Sequence, residues 1–187
     1  MNQVHLEFLS SPEWALTLQE EVLPWVQEAG DLGDDVLELG PGPGLTTDLL
    51  SRRVARLTAV ELDPALAGAL RERLSGTNVT VVNADATGSG LAGERFSSVV
   101  CFSMLHHVPS VPDQDLVFAE AYRALRPGGR FLGTDALDIE ATRQLHVGDV
   151  FLPLPPSTLG DRLEAAGFGE VVIETTDHRL RFTARKV

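Results

Sequence analysis

The chain holds a single cysteine, Cys101, inside an apolar run. One thiol excludes an internal disulfide framework and any Cys-rich metal site. Positive charge is also scarce: 15 Lys and Arg stand against 27 Asp and Glu, a formal net charge of −12. Polyanion binding relies on basic side chains that neutralise phosphates. The balance therefore argues against a nucleic-acid partner and fits an enzyme of small molecules. No apolar run approaches ~20 residues, so no membrane span is expected. The first residues lack the basic-then-apolar order of a signal peptide, and the cytoplasm is the expected location. Repeats, low-complexity tracts and linkers are missing too. What remains is ordinary globular composition, 43% hydrophobic and 22% charged over 187 residues. That predicts one domain over 1–187, with a helical cap over 1–30 ahead of a core over 31–187.

The chain is organised around Val36-Leu37-Glu38-Leu39-Gly40-Pro41-Gly42-Pro43-Gly44. Three apolar residues around one acid read as a short buried strand, which then breaks into glycine at alternate positions. Glycine permits positive φ and leaves no Cβ between backbone and ligand. From Leu45 the pattern turns helical, with Leu45, Leu49, Leu50 and Val54 on one face. Strand, glycine turn and helix make a nucleotide-type cradle at a strand's carboxyl end. It is not the dinucleotide fingerprint, because Leu45 stands where the third glycine belongs. It is not a phosphate loop either, since no Lys-Ser/Thr follows the glycines. An acid beside a base-free glycine loop suits a ligand that carries positive charge.

Other acids close later strands. Leu57, Ala59 and Val60 lie in a second strand over 54–61 that ends at Glu61, about 20 residues beyond the loop, where a carboxylate can accept both ribose hydroxyls. Asp63 and Pro64 cap and open the next helix. A third strand, 78–83, leads to Asp85. Phe96 to Phe102 is a near-continuous apolar run suited to the middle of a parallel sheet. It runs into Ser103-Met104-Leu105-His106-His107. Two adjacent imidazoles raise metal binding, but neighbouring side chains rarely converge on one ion and no acid or Cys lies at ligand spacing, so no metal is expected.

Around these sit plainer signals. Ser11-Pro12 starts a helix carrying Trp14, Leu18, Val22 and Leu23, which Pro24 kinks or restarts and Gly30 ends. A helix over 113–125 meets Arg126-Pro127-Gly128-Gly129-Arg130, a tight turn into a fifth strand at 131–134. Residues 135–156 are irregular, and their apolar Phe151–Pro156 stretch suggests a wall for a nonpolar or aromatic acceptor. Ser157 caps a further helix. Two final strands follow, the last alternating Leu180, Phe182 and Ala184 with arginines.

Glu38 with Gly40, Gly42 and Gly44, then Glu61, Asp85 and Leu-Arg-Pro-Gly-Gly before a strand, resemble the class I S-adenosylmethionine-dependent methyltransferases from residue 35 onward. The resemblance implies an α/β, doubly wound, Rossmann-like sheet of seven strands, mostly parallel with an antiparallel final strand. It implies S-adenosylmethionine as cofactor, held by Glu38, Gly40, Gly42, Gly44, Glu61, Leu62, Asp85, Ala86 and Ser103. In it Glu61 takes the ribose hydroxyls, Asp85 the adenine amino group, and the backbone at Ala86 a ring nitrogen. His106 and His107 fall in the segment beside the methyl acceptor and are the candidate catalytic residues. The acceptor is expected to be a small molecule. A cofactor-binding regulator without turnover, a nicotinamide-dependent oxidoreductase and a protein methyltransferase remain as alternatives. The oligomeric state and the acceptor atom are not legible.

Overall fold

Strand β1, Asp35–Leu39, is buried at every position. That follows from its place: it pairs in parallel with β2, Arg56–Glu61, on one side and with β4, Phe96–Phe102, on the other. A strand with parallel neighbours and helices on both faces has no solvated side, which is why β1 and β4 are buried along their whole length, polar residues included. The computed structural model describes residues 2–187. Its seven-stranded sheet runs in the order β3-β2-β1-β4-β5-β7-β6. Here β3 is Val79–Asn83, β5 Leu125–Ala136, β6 Phe168–Thr175 and β7 Arg179–Lys186. The last strand lies antiparallel between β5 and β6, as the resemblance implied.

Side-chain alternation sorts the sheet's two faces. Leu37, Leu39, Val99, Cys101 and Phe131 share one core with helix α6, Val111–Ala124, and helix α8, Pro156–Ala165. Val36, Val100, Phe102 and Leu132 share the other with helix α4, Leu45–Ser51, and with the N-terminal helices. Helix α5, Pro64–Arg73, covers β3 through Ala67 and Leu70 against Val81. Sequence order reverses across β1 and β4, and in such sheets the ligand crevice opens beyond the carboxyl ends at that switch.

Several local expectations hold, and others need correction. Ser11 caps helix α2, Pro12–Thr17, by accepting from Trp14 N. Asp63 caps α5 by accepting from the amides of Ala65 and Leu66. Pro24 restarts the N-terminal helix, standing in the first turn of a new α-helical segment. A π-turn over Leu18–Val22 joins α2 to helix α3, Leu23–Ala29, and the wider turn lets the chain pass a residue with no N–H. The first residues form a helix the sequence did not announce, α1, Gln3–Leu9, capped by Asn2. Another unexpected helix, α7, Glu140–Leu145, lies in the stretch read as irregular. Helix α8 starts two residues early, with Pro155 at the cap position and Pro156 first, so Ser157 is not its cap. The Arg126–Gly129 segment lies within β5, looping out of the ladder between the pairs Phe96–Leu125 and Ser98–Arg130.

Candidate active site

The end of β1 turns through three left-handed glycines, Gly40 at φ +67°, Gly42 at +55° and Gly44 at +89°. At Gly40 the need is also steric, because a Cβ would stand 2.2 Å from Met104 Cγ. The Gly40 amide donates to Val60 O at 2.9 Å, pinning the loop to β2. Glu61 then braces it from beside: Oε2 accepts from Gly42 N at 2.9 Å and Oε1 from Asp63 N at 2.9 Å. Asn83, at the end of β3, donates to the carbonyls of Glu61 and Leu62 at 2.8 and 2.9 Å, tying neighbouring strand ends together. Asp85 follows; its Oδ1 accepts from the amide and hydroxyl of Thr87, both at 2.8 Å.

These strand ends rim a cavity of about 650 Å³. Gly40, Gly42, Glu61, Leu62, Asp85, Ala86, Ser103 and His107 line it. Asp63 and Asp113 add two further acids to the wall, and no Lys or Arg lines it among the described residues. Ser103 holds a left-handed φ of +52°, a conformation costly outside glycine and asparagine, where the chain leaves β4 and passes the loop. Much of the remaining lining is apolar: Leu6 and Leu9 from α1, Trp14 from α2, and Met104, Val108 and Val117.

Three expected site residues are not on this wall. Gly44 caps α4 and packs toward Leu70 and Arg73. Glu38 projects to the α4 face of the sheet, where Thr46 Oγ1 and Thr47 Oγ1 both donate to it, the latter at 2.7 Å. Strand alternation explains the outcome, because Glu38 shares a face with Val36 rather than lying at the strand tip. Burial pushes its carboxyl up to about 7, against the pull of the two threonine hydroxyls. Two of the three expected acids thus reach the cavity, and the third secures the helix behind the loop. His106 is the other correction. Its ring is 1% exposed and turned away from the cavity, with Nδ1 against Asp135 Oδ1. His107, one residue on, is the imidazole at the wall.

The Phe151–Pro156 stretch does not line the cavity either. Leu154 enters the main core, Leu152 bonds His106 O and Gln114, and Phe151 stacks on His146 with centroids 4.4 Å apart. The apolar wall comes from the N-terminal helices, whose Trp14 is both core residue and lining residue.

Sequence spacing also concealed a group of four imidazoles. His5 on α1, His106 and His107 on the 3-10 turn Leu105–His107, and His146 just after α7 bring one ring nitrogen each to within 4.8 Å of one another. Asp135, at the end of β5, steadies the group; Oδ2 accepts from Leu105 N at 2.9 Å while Oδ1 meets His106. Burial and the neighbouring imidazoles lower His5 to about 4 and His107 to about 3. The expectation of no metal rested on the adjacent pair alone; the fold adds two partners from distant segments.

The chain matches the methyltransferase domain family over residues 37–133, more than half its length. It is 51% identical over 77 residues to an rRNA adenine N-6-methyltransferase of Saccharopolyspora erythraea, covering 40% of this chain and 20% of that protein. It is 32% identical over 115 residues to a ubiquinone biosynthesis O-methyltransferase of Pseudomonas aeruginosa, covering 59% of this chain and 48% of that one. The chain therefore spans less than half the length of these curated relatives. A solved S-adenosylmethionine-dependent methyltransferase from Aquifex aeolicus superposes with a TM-score of 0.77 at 18% identity over 100% of both chains, which places the fold. The ribosomal RNA relative leaves the expectation of no nucleic-acid partner without support. No helix among the described residues is long and apolar enough to cross a membrane.

Proposed function

The chain belongs to the methyltransferase domain family, class I and S-adenosylmethionine-dependent, and from that footing we propose that it methylates a small apolar or aromatic acceptor. The observation that carries the reading is the wall chemistry: Glu61, Asp63, Asp85 and Asp113 line a cavity together with Leu6, Leu9 and Trp14, and no Lys or Arg lines it among the described residues. Acids without cationic side chains suit a cationic nucleoside and oppose a pyrophosphate, which disfavours a nicotinamide dinucleotide.

The residues fit this cofactor. Glu61 uses one lone pair of each oxygen on an amide and keeps others for ribose hydroxyls. Asp85 Oδ2, opposite the Thr87 bonds, suits an amino donor such as that of adenine, beside the Ala86 backbone. The Gly40–Gly42 backbone leaves the close approach open. When bound, S-adenosylmethionine would supply an electrophilic methyl carbon activated by its sulfonium. The chain's contribution is mainly orientation, worth ~7–11 kcal/mol, against about 3–5 kcal/mol for general-base help. His107 favours the same weighting, since a ring lowered to about 3 is a weak base at neutral pH. The aromatic half of the acceptor reading is supported by the Leu6, Leu9 and Trp14 wall and by the name of the ubiquinone-pathway relative.

Calorimetry and a transfer assay test this. S-adenosylmethionine should bind, NADH should not, and labelled methyl should appear on small phenolic or other apolar acceptors. Transfer to ribosomal RNA instead would replace the acceptor class. Binding without transfer to either would leave a cofactor-binding regulator.

A further inference from the structure

Four imidazoles meet at the edge of the cavity, and of the four only His107 lines it. His5, His106 and His146 are 3%, 1% and 5% exposed. No hydrogen bond links any of these rings to another. His106 Nε2, His146 Nε2, His5 Nδ1 and both nitrogens of His107 are buried without a hydrogen-bond partner. Buried polar atoms are normally satisfied, so several orphans in one spot call for a ligand.

The outer bonds decide which ligand. His146 Nδ1 meets Thr142 O at 2.6 Å, and a carbonyl only accepts, so the proton sits on Nδ1 and the Nε2 lone pair points inward. His106 Nδ1 meets the Asp135 carboxylate, which sets the same tautomer. Inward lone pairs cannot bond one another, and they need a shared electron acceptor. A carboxylate or carbonyl behind the distal nitrogen is the usual support of a metal-bound histidine.

We propose that His5, His106, His107 and His146 form a site for a divalent zinc-type ion that fastens helix α1 to the turn after β4. Their candidate ligand atoms lie within 4.8 Å of one another, and the nitrogens of a tetrahedral zinc site lie roughly 3.4 Å apart, so small ring rotations close the set. Imidazoles without thiolate or a ring of hard oxygens select zinc-like ions over magnesium or calcium. Four protein ligands leave no open coordination position, which makes the site a clasp rather than a Lewis-acid centre. The clasp would have a consequence next door, because His107 lines the cavity and His5 shares α1 with Leu6 and Leu9 of its wall. The site stands independently of the methyl-transfer reading.

Untagged protein, stripped with a chelator, is titrated with Zn²⁺ by calorimetry and with Co²⁺ by visible absorption. The expected result is one ion per chain, a tetrahedral Co²⁺ spectrum, a higher melting temperature with Zn²⁺ and none with Mg²⁺. His5→Ala and His146→Gln, each confirmed folded by circular dichroism, should weaken Zn²⁺ at least 100-fold while S-adenosylmethionine affinity in the same samples stays within twofold. Wild-type protein that takes up neither ion overturns the proposal, and so does a Zn²⁺ affinity in both variants that is unchanged from wild type. The parallel cofactor titration separates that failure from failure of the methyltransferase reading.

Discussion

The backbone amide of Gly42 donates to Glu61 Oε2 at 2.9 Å, so the acid expected to take the ribose also holds the glycine loop in place. One side chain thus shapes the cradle and faces the ligand. Glu61→Ala should weaken S-adenosylmethionine at least tenfold. It should also lower stability by ~1–3 kcal/mol, because two amides lose their acceptor. Glu61→Gln keeps one acceptor oxygen and should fall between. Calorimetry and thermal melting read the two effects separately, and an unchanged affinity in Glu61→Ala would remove Glu61 from the cofactor site.

Gly40 is constrained twice, by φ +67° and by Met104 Cγ at 2.2 Å from a would-be Cβ. Gly40→Ala should cost ~1–3 kcal/mol, combining left-handed strain with overpacking. Adding Met104→Ala should recover the steric part and leave the backbone part. Full recovery in the double variant, measured by denaturant unfolding, would show that the left-handed turn is not required.

Glu38 gives the pH dependence an unusual direction. Its carboxyl lies at about 7 in the folded chain, pushed there by burial, against a reference value of 4.5 in the unfolded one. Between these values the folded state holds the extra proton, so the contribution of Glu38 to stability is fully present below pH ~4.5 and is lost as pH rises through ~7. At 1.36 kcal/mol per unit the loss is on the order of 3 kcal/mol. Glu38→Gln should flatten this decline in urea unfolding between pH 5 and 8. Identical slopes for wild type and variant would sink the assignment.

The sheet and half of the cofactor cradle were legible because their signals are local. Apolar runs mark strands buried on both faces, Ser11 and Asp63 announce helix starts, and alternate glycines mark a turn. Glu38 misled because the side chain's face depends on strand phase at a loop boundary, which spacing alone does not reveal. His106 and His107 were visible as a pair, but their partners lie on α1 and after α7, two helices the sequence left unmarked. Asp135 falls in the stretch read as irregular, and nothing in its neighbours tied it to a ring 29 positions away.

Asp135 permits a test of positioning. It touches His106 from behind and is itself fully buried, with Leu105 N and Ala136 N as further donors. Asp135→Asn keeps the shape but loses the charge that orients the imidazole. A supporting carboxylate of this kind is typically worth 10- to 100-fold in metal affinity. The expected outcome is a 10- to 100-fold weaker Zn²⁺ titration in a folded protein whose S-adenosylmethionine affinity is unchanged. Equal weakening of both ligands would mean that Asp135 supports the fold of the β4 and β5 ends as a whole.

Leu6 separates acceptor from cofactor. It sits half-buried on α1 and is part of the cavity's apolar lining. Truncation to alanine removes part of a leucine's contact, about 1–2 kcal/mol. If an apolar acceptor rests there, Leu6→Ala should raise its KM roughly 5- to 30-fold with kcat little changed, the pattern of binding lost equally in ground and transition states. Cofactor affinity should not move. A drop in kcat at constant KM would instead mean that α1 orients the reacting atoms. An acceptor whose KM ignores Leu6, Leu9 and Trp14 alike would enter from the polar rim, and the apolar half of the proposed acceptor would have to be given up.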